Sequence, residues 1–306
     1  MSKIMNKTVI FLMGATASGK TDLAINLADE LPARLISVDS ALIYQGMDIG
    51  TAKPSQQILD KYPHYLIDIC SPEMSYSAFD FVRDAKAQIE IAFAKQQVPI
   101  LVGGTAFYFH ALEHGLSDLP ESTPESKAKF NQLLSQKGSV ELHKNLAKID
   151  EKSAQRIHQN DTQRIIRALE VFDLSGKTLS SLQGNKRPEI NYPIKKIILT
   201  PPRKKLHQRI EKRFLAMMEN GFLDEVKALK QNPNLRETLP SIRCVGYRQA
   251  WQFLDGKISE NEMIEKSIIA TRQLCKRQST WLKAETHALF LEQPNPQKAL
   301  GFIQGV

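Results

Sequence analysis

The feature that most constrains this chain is "GATASGKT" at residues 14–21, set between an apolar run and a helical one. The pattern G-x-x-x-x-G-K-T closes a buried strand, "KTVIFLMG" (7–14), and opens "KTDLAINLADEL" (20–31), whose apolar spacing is that of a helix. Strand, glycine-rich turn and helix in that order make a phosphate-binding loop. The backbone N–H groups of residues 15–20 turn inward, and the helix end adds positive potential. Gly14 is expected to permit the turn, Lys20 to reach the terminal phosphate, and the Thr21 hydroxyl to ligate Mg²⁺. The loop thus asks for an anion carrying at least two phosphates. A nucleotide such as ATP meets that demand, and so does an allylic pyrophosphate. The motif does not choose between them.

The residues that follow repeat the alternation. "ARLISVD" (33–39), "HYLIDI" (64–69) and "VPILVGG" (98–104) read as strands, and "SAFDFVRDAKAQIEIAFAKQ" (77–96) as an amphipathic helix with a serine at its start. Such alternation predicts an α/β fold, a P-loop NTPase-like parallel sheet with helices on both faces. The rhythm breaks at "SDLPESTPES" (117–126), a Pro- and Ser-rich exit from the first part of the core. Only helical patterning follows to about 183, with Gly176 expected to stop the helix in "DTQRIIRALEVFDLSGKTL" (161–179). After the polar stretch 183–193, "IKKIILTPPR" (194–203) returns to strand character. The organisation expected is a first core part at 1–119, a helical insertion at 120–194, and a mainly helical second core part at 195–306. In that last part helices are expected at 203–220, 222–232, about 245–255 and 260–283, and a final strand at 287–292.

Charge is unevenly spread. Residues 1–119 hold nine Lys and Arg against 13 Asp and Glu, whereas residues 120–306 hold 32 against 20. A basic excess confined to the later part of the chain points to an anionic polymer as partner, or to a solvated basic surface. The cysteines Cys70, Cys244 and Cys275 are odd in number and far apart, which argues against a disulfide framework or a metal knuckle and favours a reducing cytoplasm. The apolar run at 8–13 is too short for a membrane span or a signal segment.

Several positions invite chemistry. Asp39 is expected at the carboxyl end of a strand beside the first, facing the same crevice as the loop. There it would act as a general base, as an outer magnesium partner, or only as a cap on the next segment. Asp68 is a rival acid at the end of "YLID". Gly103 and Gly104 would admit a flat ligand close to the backbone, with Thr105 at the same strand end or capping a helix. Arg209 and Arg213 stand four apart on one helix face and suit a pyrophosphate or a nucleic-acid backbone. "SIRCVGYRQAW" (241–251) interleaves arginines with an aromatic, a composition that suits stacked RNA bases.

Taken together, "GATASGKT", "LISVDSALIYQGMDIGTAKP", "PILVGGTAFYFHAL", "NDTQRIIRALEVF", "HQRIEKRF" and "LPSIRCVGYRQAW" resemble the bacterial tRNA dimethylallyltransferases, or tRNA isopentenyltransferases, over nearly the whole chain. The long "DSALIYQGMDIGTAKP" string is the specific part. Ala15 departs from the Gly-Pro-Thr that the family's loop usually reads, at a position that offers only its backbone. The resemblance implies transfer of a dimethylallyl group from dimethylallyl pyrophosphate to N6 of adenosine 37 of a tRNA anticodon stem-loop. The loop, Gly14, Ala15, Thr16, Ala17, Ser18, Gly19, Lys20 and Thr21, would then hold the donor's pyrophosphate together with Arg213, with Mg²⁺ at Thr21. Asp39 would be the general base and Thr105 a tRNA contact at the reaction centre. Further tRNA contacts would come from Asp39, Ser40, Ala41 and Leu42, from Gln163, Arg164, Ile165, Ile166 and Arg167, and from Arg243, Cys244, Val245, Gly246, Tyr247 and Arg248. The insertion would clasp the anticodon stem and so account for the basic excess. No D-D-x-x-D occurs in the chain, so Asp-rich magnesium chemistry is not expected. The expected protein is a monomer with no membrane association. A P-loop kinase of a nucleoside or small alcohol, and a non-catalytic nucleotide-regulated RNA-binding protein, are the alternatives.

Overall fold

The computed structural model describes residues 7–184 and 187–305. Asn185 and Lys186, within the polar stretch 183–193, lie outside the described residues.

The first part of the chain runs β1 (Val9–Gly14), α1 (Lys20–Glu30), β2 (Ala33–Val38), α2 (Gln56–Lys61), β3 (His64–Tyr65), α3 (Ala78–Ala94), β4 (Val98–Gly103) and α4 (Ala106–His114). Four helices follow: α5 (Pro124–Ile149), α6 (Glu151–Arg156), α7 (Thr162–Ser175) and α8 (Leu179–Leu182). The chain then continues as β5 (Ile194–Leu199), α9 (Arg203–Glu219), α10 (Phe222–Lys230), α11 (Tyr247–Leu254), α12 (Glu260–Leu282), β6 (Ala288–Leu291) and α13 (Pro296–Gln304). Two compact units result. One comprises the described residues up to Leu112 together with those from Ile190 on, and the other is Glu113–Glu189.

Among the described residues the first unit carries a six-stranded sheet, in the order β3-β2-β4-β1-β5-β6, with every pair parallel. β1, β2 and β4 are buried almost throughout, as parallel strands covered on both faces must be. On one face Ile10, Leu12, Leu35 and Ile100 pack with Leu23 and Leu27 of α1 and with Ala299 and Ile303 of α13. A second core joins Ile43, Tyr44 and Met47 to α9–α12. Sequence reasoning did not anticipate α13, although Asn295 caps it and Pro296 opens it, a legible start signal. None of the helices described is long and apolar enough to cross a membrane.

Two expectations about the sheet need correction. β4 lies between β1 and β2, so Asp39 does not follow a strand adjacent to the first. Strand order is a property of crossover packing, and residue patterning carries no signal for it. The strand expected over 64–69 stops at Tyr65, because Leu66 (φ 65°) and Asp68 (φ 56°) turn the backbone left-handed. Asp68 therefore sits beyond the edge strand β3, where it pairs with the buried ammonium of Lys53. It cannot serve as an acid beside the phosphate loop.

The second unit is all helical, with a core of Phe130, Leu142, Leu146, Ile165, Ala168 and Val171. α5 is broken at Gly138, whose φ of 73° no helix tolerates, and Gly176 ends α7 in the left-handed region as expected. This unit is nearly neutral, with 12 Lys and Arg against 11 Asp and Glu. The basic excess belongs instead to residues 190–306, with 20 against 11. Attributing that excess to the insertion was wrong.

Candidate active site

Parallel register brings the strand ends level. Met13 of β1 and Val38 of β2 both pair with Gly103 of β4, so the residues that follow each strand open on one edge of the sheet. Gly14, Asp39 and Gly104 meet there for that reason.

The phosphate loop turns through Ala17 (φ 62°) and Gly19 (φ 93°), with Ser18 N–H donating to the Ala15 carbonyl. Gly14 is needed for room, not for the turn itself. A Cβ there would stand 2.5 Å from Ser18 Oγ. Gly19 leads into α1, whose first residues are Lys20 and Thr21. Burial pushes the Lys20 ammonium below the ordinary lysine range, and Arg213 pushes the same way while Asp39 opposes both. The Arg213 guanidinium is likewise held below its usual range by burial, with Asp39 again opposing. Lys20 and Arg213, both half-buried, bring two cations to the loop, an arrangement that suits a pyrophosphate.

α9 supplies both arginines of its (i, i+4) pair to the loop. Arg213 Nη2 donates to Thr16 Oγ1 of the loop. Arg209 Nη1 donates instead to the carbonyls of Ala17 (3.2 Å) and Ser18 (3.3 Å). Arg209 therefore braces the backbone of the loop. Sequence spacing identified the pair but not this division of work.

Asp39 Oδ1 accepts from the N–H groups of Ala41 (2.9 Å) and Leu42 (3.4 Å). The capping reading is thus correct for one oxygen. Thr105 Oγ1 accepts from Ser40 N–H at 3.1 Å, joining the β4–α4 turn to the one after β2. Gly103 and Gly104 do not make space for a ligand. A Cβ at Gly103 would strike the Val38 carbonyl at 2.0 Å, and one at Gly104 would strike Gln278 Nε2 at 2.5 Å. The two glycines let protein approach protein.

The long string after Asp39 is chiefly a framework. Glu225 of α10 accepts from three successive N–H groups, those of Asp48, Ile49 and Gly50, and from the Tyr247 hydroxyl. A Cβ at Gly50 would enter the rings of Phe222 and Tyr247. Lys53, its side chain buried, pairs with Asp48 and Asp68 and donates to the Tyr44 carbonyl. These contacts fix the segment that presents residues 39–42.

The other expected RNA contacts separate by exposure. Arg243 and Arg248 are exposed, whereas Gly246 and Tyr247 are buried. The Tyr247 ring is fully buried against Phe222, with its hydroxyl donating to Glu225, so it cannot stack on a base, contrary to the sequence reading. In α7, Gln163 and Arg164 face solvent and Ile165 lies in the core of its unit. Arg167 Nη2 donates to the Pro120 carbonyl at 2.7 Å, a tie within the insertion. The cysteines are free, and none of the described His, Cys, Asp and Glu residues gather in threes to hold a metal.

Glu225, Lys53 and Gln278 are the site's supports that sequence reasoning missed. Glu225 and Gln278 act through contacts with residues remote in the chain, which no local pattern marks, whereas Lys53 works through Tyr44, Asp48 and Asp68, nearer in sequence.

Comparison with known proteins identifies a family. A model of the IPP transferase family matches residues 42–285. A protein of Ruthia magnifica subsp. Calyptogena magnifica named tRNA dimethylallyltransferase is 72% identical over 299 residues, with 98% of each chain covered. Among solved structures, the tRNA isopentenylpyrophosphate transferase of Bacillus halodurans superposes with a TM-score of 0.70 at 33% identity, covering 98% of this chain and 95% of its own. A eukaryotic dimethylallyltransferase described as acting on tRNA gives 0.76 at 25% identity, covering 96% of this chain and 75% of that one.

Proposed function

The chain belongs to the IPP transferase family, and from that premise we propose that it transfers a dimethylallyl group from dimethylallyl pyrophosphate to N6 of adenosine 37 beside the tRNA anticodon. The observation that carries the proposal is that Asp39 follows β2 at the same edge of the sheet where β1 enters the phosphate loop, to whose Thr16 hydroxyl Arg213 donates. A proton acceptor and an anion site therefore share one crevice.

The chemistry needs both. The N6 lone pair is delocalised into the adenine ring and attacks poorly while its proton stays in place. Asp39 Oδ2 takes that proton as the N6–C1 bond forms. On the opposite side the C1–O bond breaks, and its electron pair leaves with the pyrophosphate. Lys20, Arg213 and those N–H groups of the loop that are not already paired within the protein hold the charge that develops there. The Thr21 hydroxyl, a hard oxygen donor at the first turn of α1, would hold Mg²⁺ together with the donor's phosphates. When bound there, the ion adds charge stabilisation for the leaving group. Adenosine 37 leaves the anticodon-loop stack to reach the crevice, as a base must when chemistry is done on it.

Thr105 and residues 39–42 receive the flipped nucleotide, while Arg164 on the insertion and Arg243 and Arg248 on the core contact RNA phosphates. The proposed enzyme acts as a monomer. The kinase and non-catalytic readings are not favoured, since the relatives quoted above carry prenyltransferase names.

The test is direct. With Mg²⁺, dimethylallyl pyrophosphate and unmodified tRNA bearing A36 and A37, digested product should contain N6-isopentenyladenosine without any ATP. An absolute requirement for ATP, or a phosphorylated product, would overturn the proposal.

A further inference from the structure

Gln278, in α12, joins two loops that lie far apart in the chain. Its Oε1 accepts from Thr16 N–H at 2.9 Å and its Nε2 donates to the Gly104 carbonyl at 2.9 Å. The two partners are a backbone donor and a backbone acceptor, so they fix which end of the amide is which. A flipped amide would set donor against donor and acceptor against acceptor. The fit is close, since a Cβ on Gly104 would meet Gln278 Nε2 at 2.5 Å and the Gly14 carbonyl at 3.2 Å.

Each partner continues into the site. On one side Thr16 carries the hydroxyl to which Arg213 donates. On the other, Gly104 leads into Thr105, whose Oγ1 accepts from Ser40 N–H, and Ser40 follows Asp39. One side chain thus stands between the group that holds the leaving pyrophosphate and the turn that carries the base.

We infer that Gln278 is a positioning residue for prenyl transfer: it sets the phosphate loop and the Asp39–Thr105 side of the crevice at a fixed separation, so that N6 meets C1 in line with the departing oxygen. The inference rests on the prenyl-transfer reading. Its physical basis is the steep dependence of rate on approach geometry, where a displacement of about 1 Å costs on the order of 10²-fold. The Thr16 N–H is occupied by Gln278 and is therefore one of the loop's structural amides. The pyrophosphate keeps Lys20, Arg213 and the remaining amides, so Gln278 should govern rate more than donor affinity.

Two substitutions test this in the full-length enzyme. Gln278→Met keeps the volume and removes both hydrogen bonds. Gln278→Glu keeps an acceptor for Thr16 N–H but turns an oxygen towards the Gly104 carbonyl. Single-turnover rates are measured with saturating tRNA and dimethylallyl pyrophosphate, per donor-binding site counted by titration. Both variants should be slower by about 10- to 100-fold, with donor Kd changed less than about threefold. A role in packing alone would leave the rate per competent site at the wild-type value in Gln278→Met. That result, or a loss expressed only in donor Kd, would overturn the inference. Should Gln278→Met fail to fold, an unimpaired rate in Gln278→Glu would overturn it equally. If the wild-type enzyme prenylates no tRNA, the prenyl-transfer reading falls as well. If it does and Gln278→Met is equally fast, only this inference falls.

Discussion

Arg213 donates to the hydroxyl of Thr16 in the phosphate loop, while Arg209, one helical turn earlier, donates to the loop's carbonyls at Ala17 and Ser18. The two guanidiniums therefore predict different failures. Arg213→Ala should cost about 10²–10³ in turnover, the usual worth of one preorganised donor to a developing anion, and should weaken donor binding without much change in melting temperature. Arg209→Ala should act through loop shape, lowering both melting temperature and donor affinity. Kinetics and thermal melts on the two variants separate these outcomes.

Asp39→Ala should lower the single-turnover rate by roughly 10²–10⁴-fold, the range for a positioned general base. Asp39→Asn keeps an oxygen for the Ala41 and Leu42 N–H groups, so the turn survives while proton acceptance is lost. It should be nearly as slow as the alanine variant but melt like wild type. A wild-type rate in Asp39→Asn would mean that the carboxylate only shapes the turn.

Lys20 supplies a pH signature. Burial lowers its pKa in the free enzyme, and a bound pyrophosphate favours the protonated form. At pH below the lowered value Lys20 is already charged and donor binding takes up no proton. As pH rises through that value towards the ordinary lysine range, binding should take up a growing fraction of a proton and affinity should fall. Calorimetry in two buffers of different ionisation enthalpy measures the uptake. Lys20→Met should abolish it.

Glu225 holds three backbone N–H groups of residues 48–50 and the Tyr247 hydroxyl. Glu225→Ala strands them, and should cost about 2–3 kcal/mol by the penalty for unmade hydrogen bonds of partly buried groups. The loss reads as a lower urea midpoint. Activity per folded molecule should fall as well, because residues 39–42 hang on this segment.

Arg164 is exposed on α7 with only a 3.4 Å pairing to Asp161, so Arg164→Ala should fold normally. If it contacts one tRNA phosphate, the slope of log K against log salt should shrink by about one unit while donor affinity stays unchanged. Arg167→Ala is a different experiment, since that side chain anchors the Pro120 carbonyl. Its first effect should be on the stability of the insertion. Unchanged RNA affinity and salt slope in Arg164→Ala would make this residue part of a solvated surface.

The sequence by itself determined the elements and the chemistry that is local to them. A glycine-rich turn between an apolar strand and a helix leaves little choice but a phosphate loop, and buried strands alternating with helices imply a parallel sheet. Lys20, Asp39 and Arg213 are legible because each sits at a fixed offset from a strand end or along one helix face. Tertiary structure alone decided which strand lies beside which, and so put β4 between Asp39 and the loop. It likewise turned Arg209 to carbonyls, buried Tyr247 against Phe222 and Glu225 of α10, and brought Gln278 from the far end of the chain to Thr16 and Gly104. The physical reason is reach. Periodicity and turn chemistry report what a residue does to its neighbours within a few positions, whereas a hydrogen bond between residues 262 apart exists only after the sheet and its covering helices have packed.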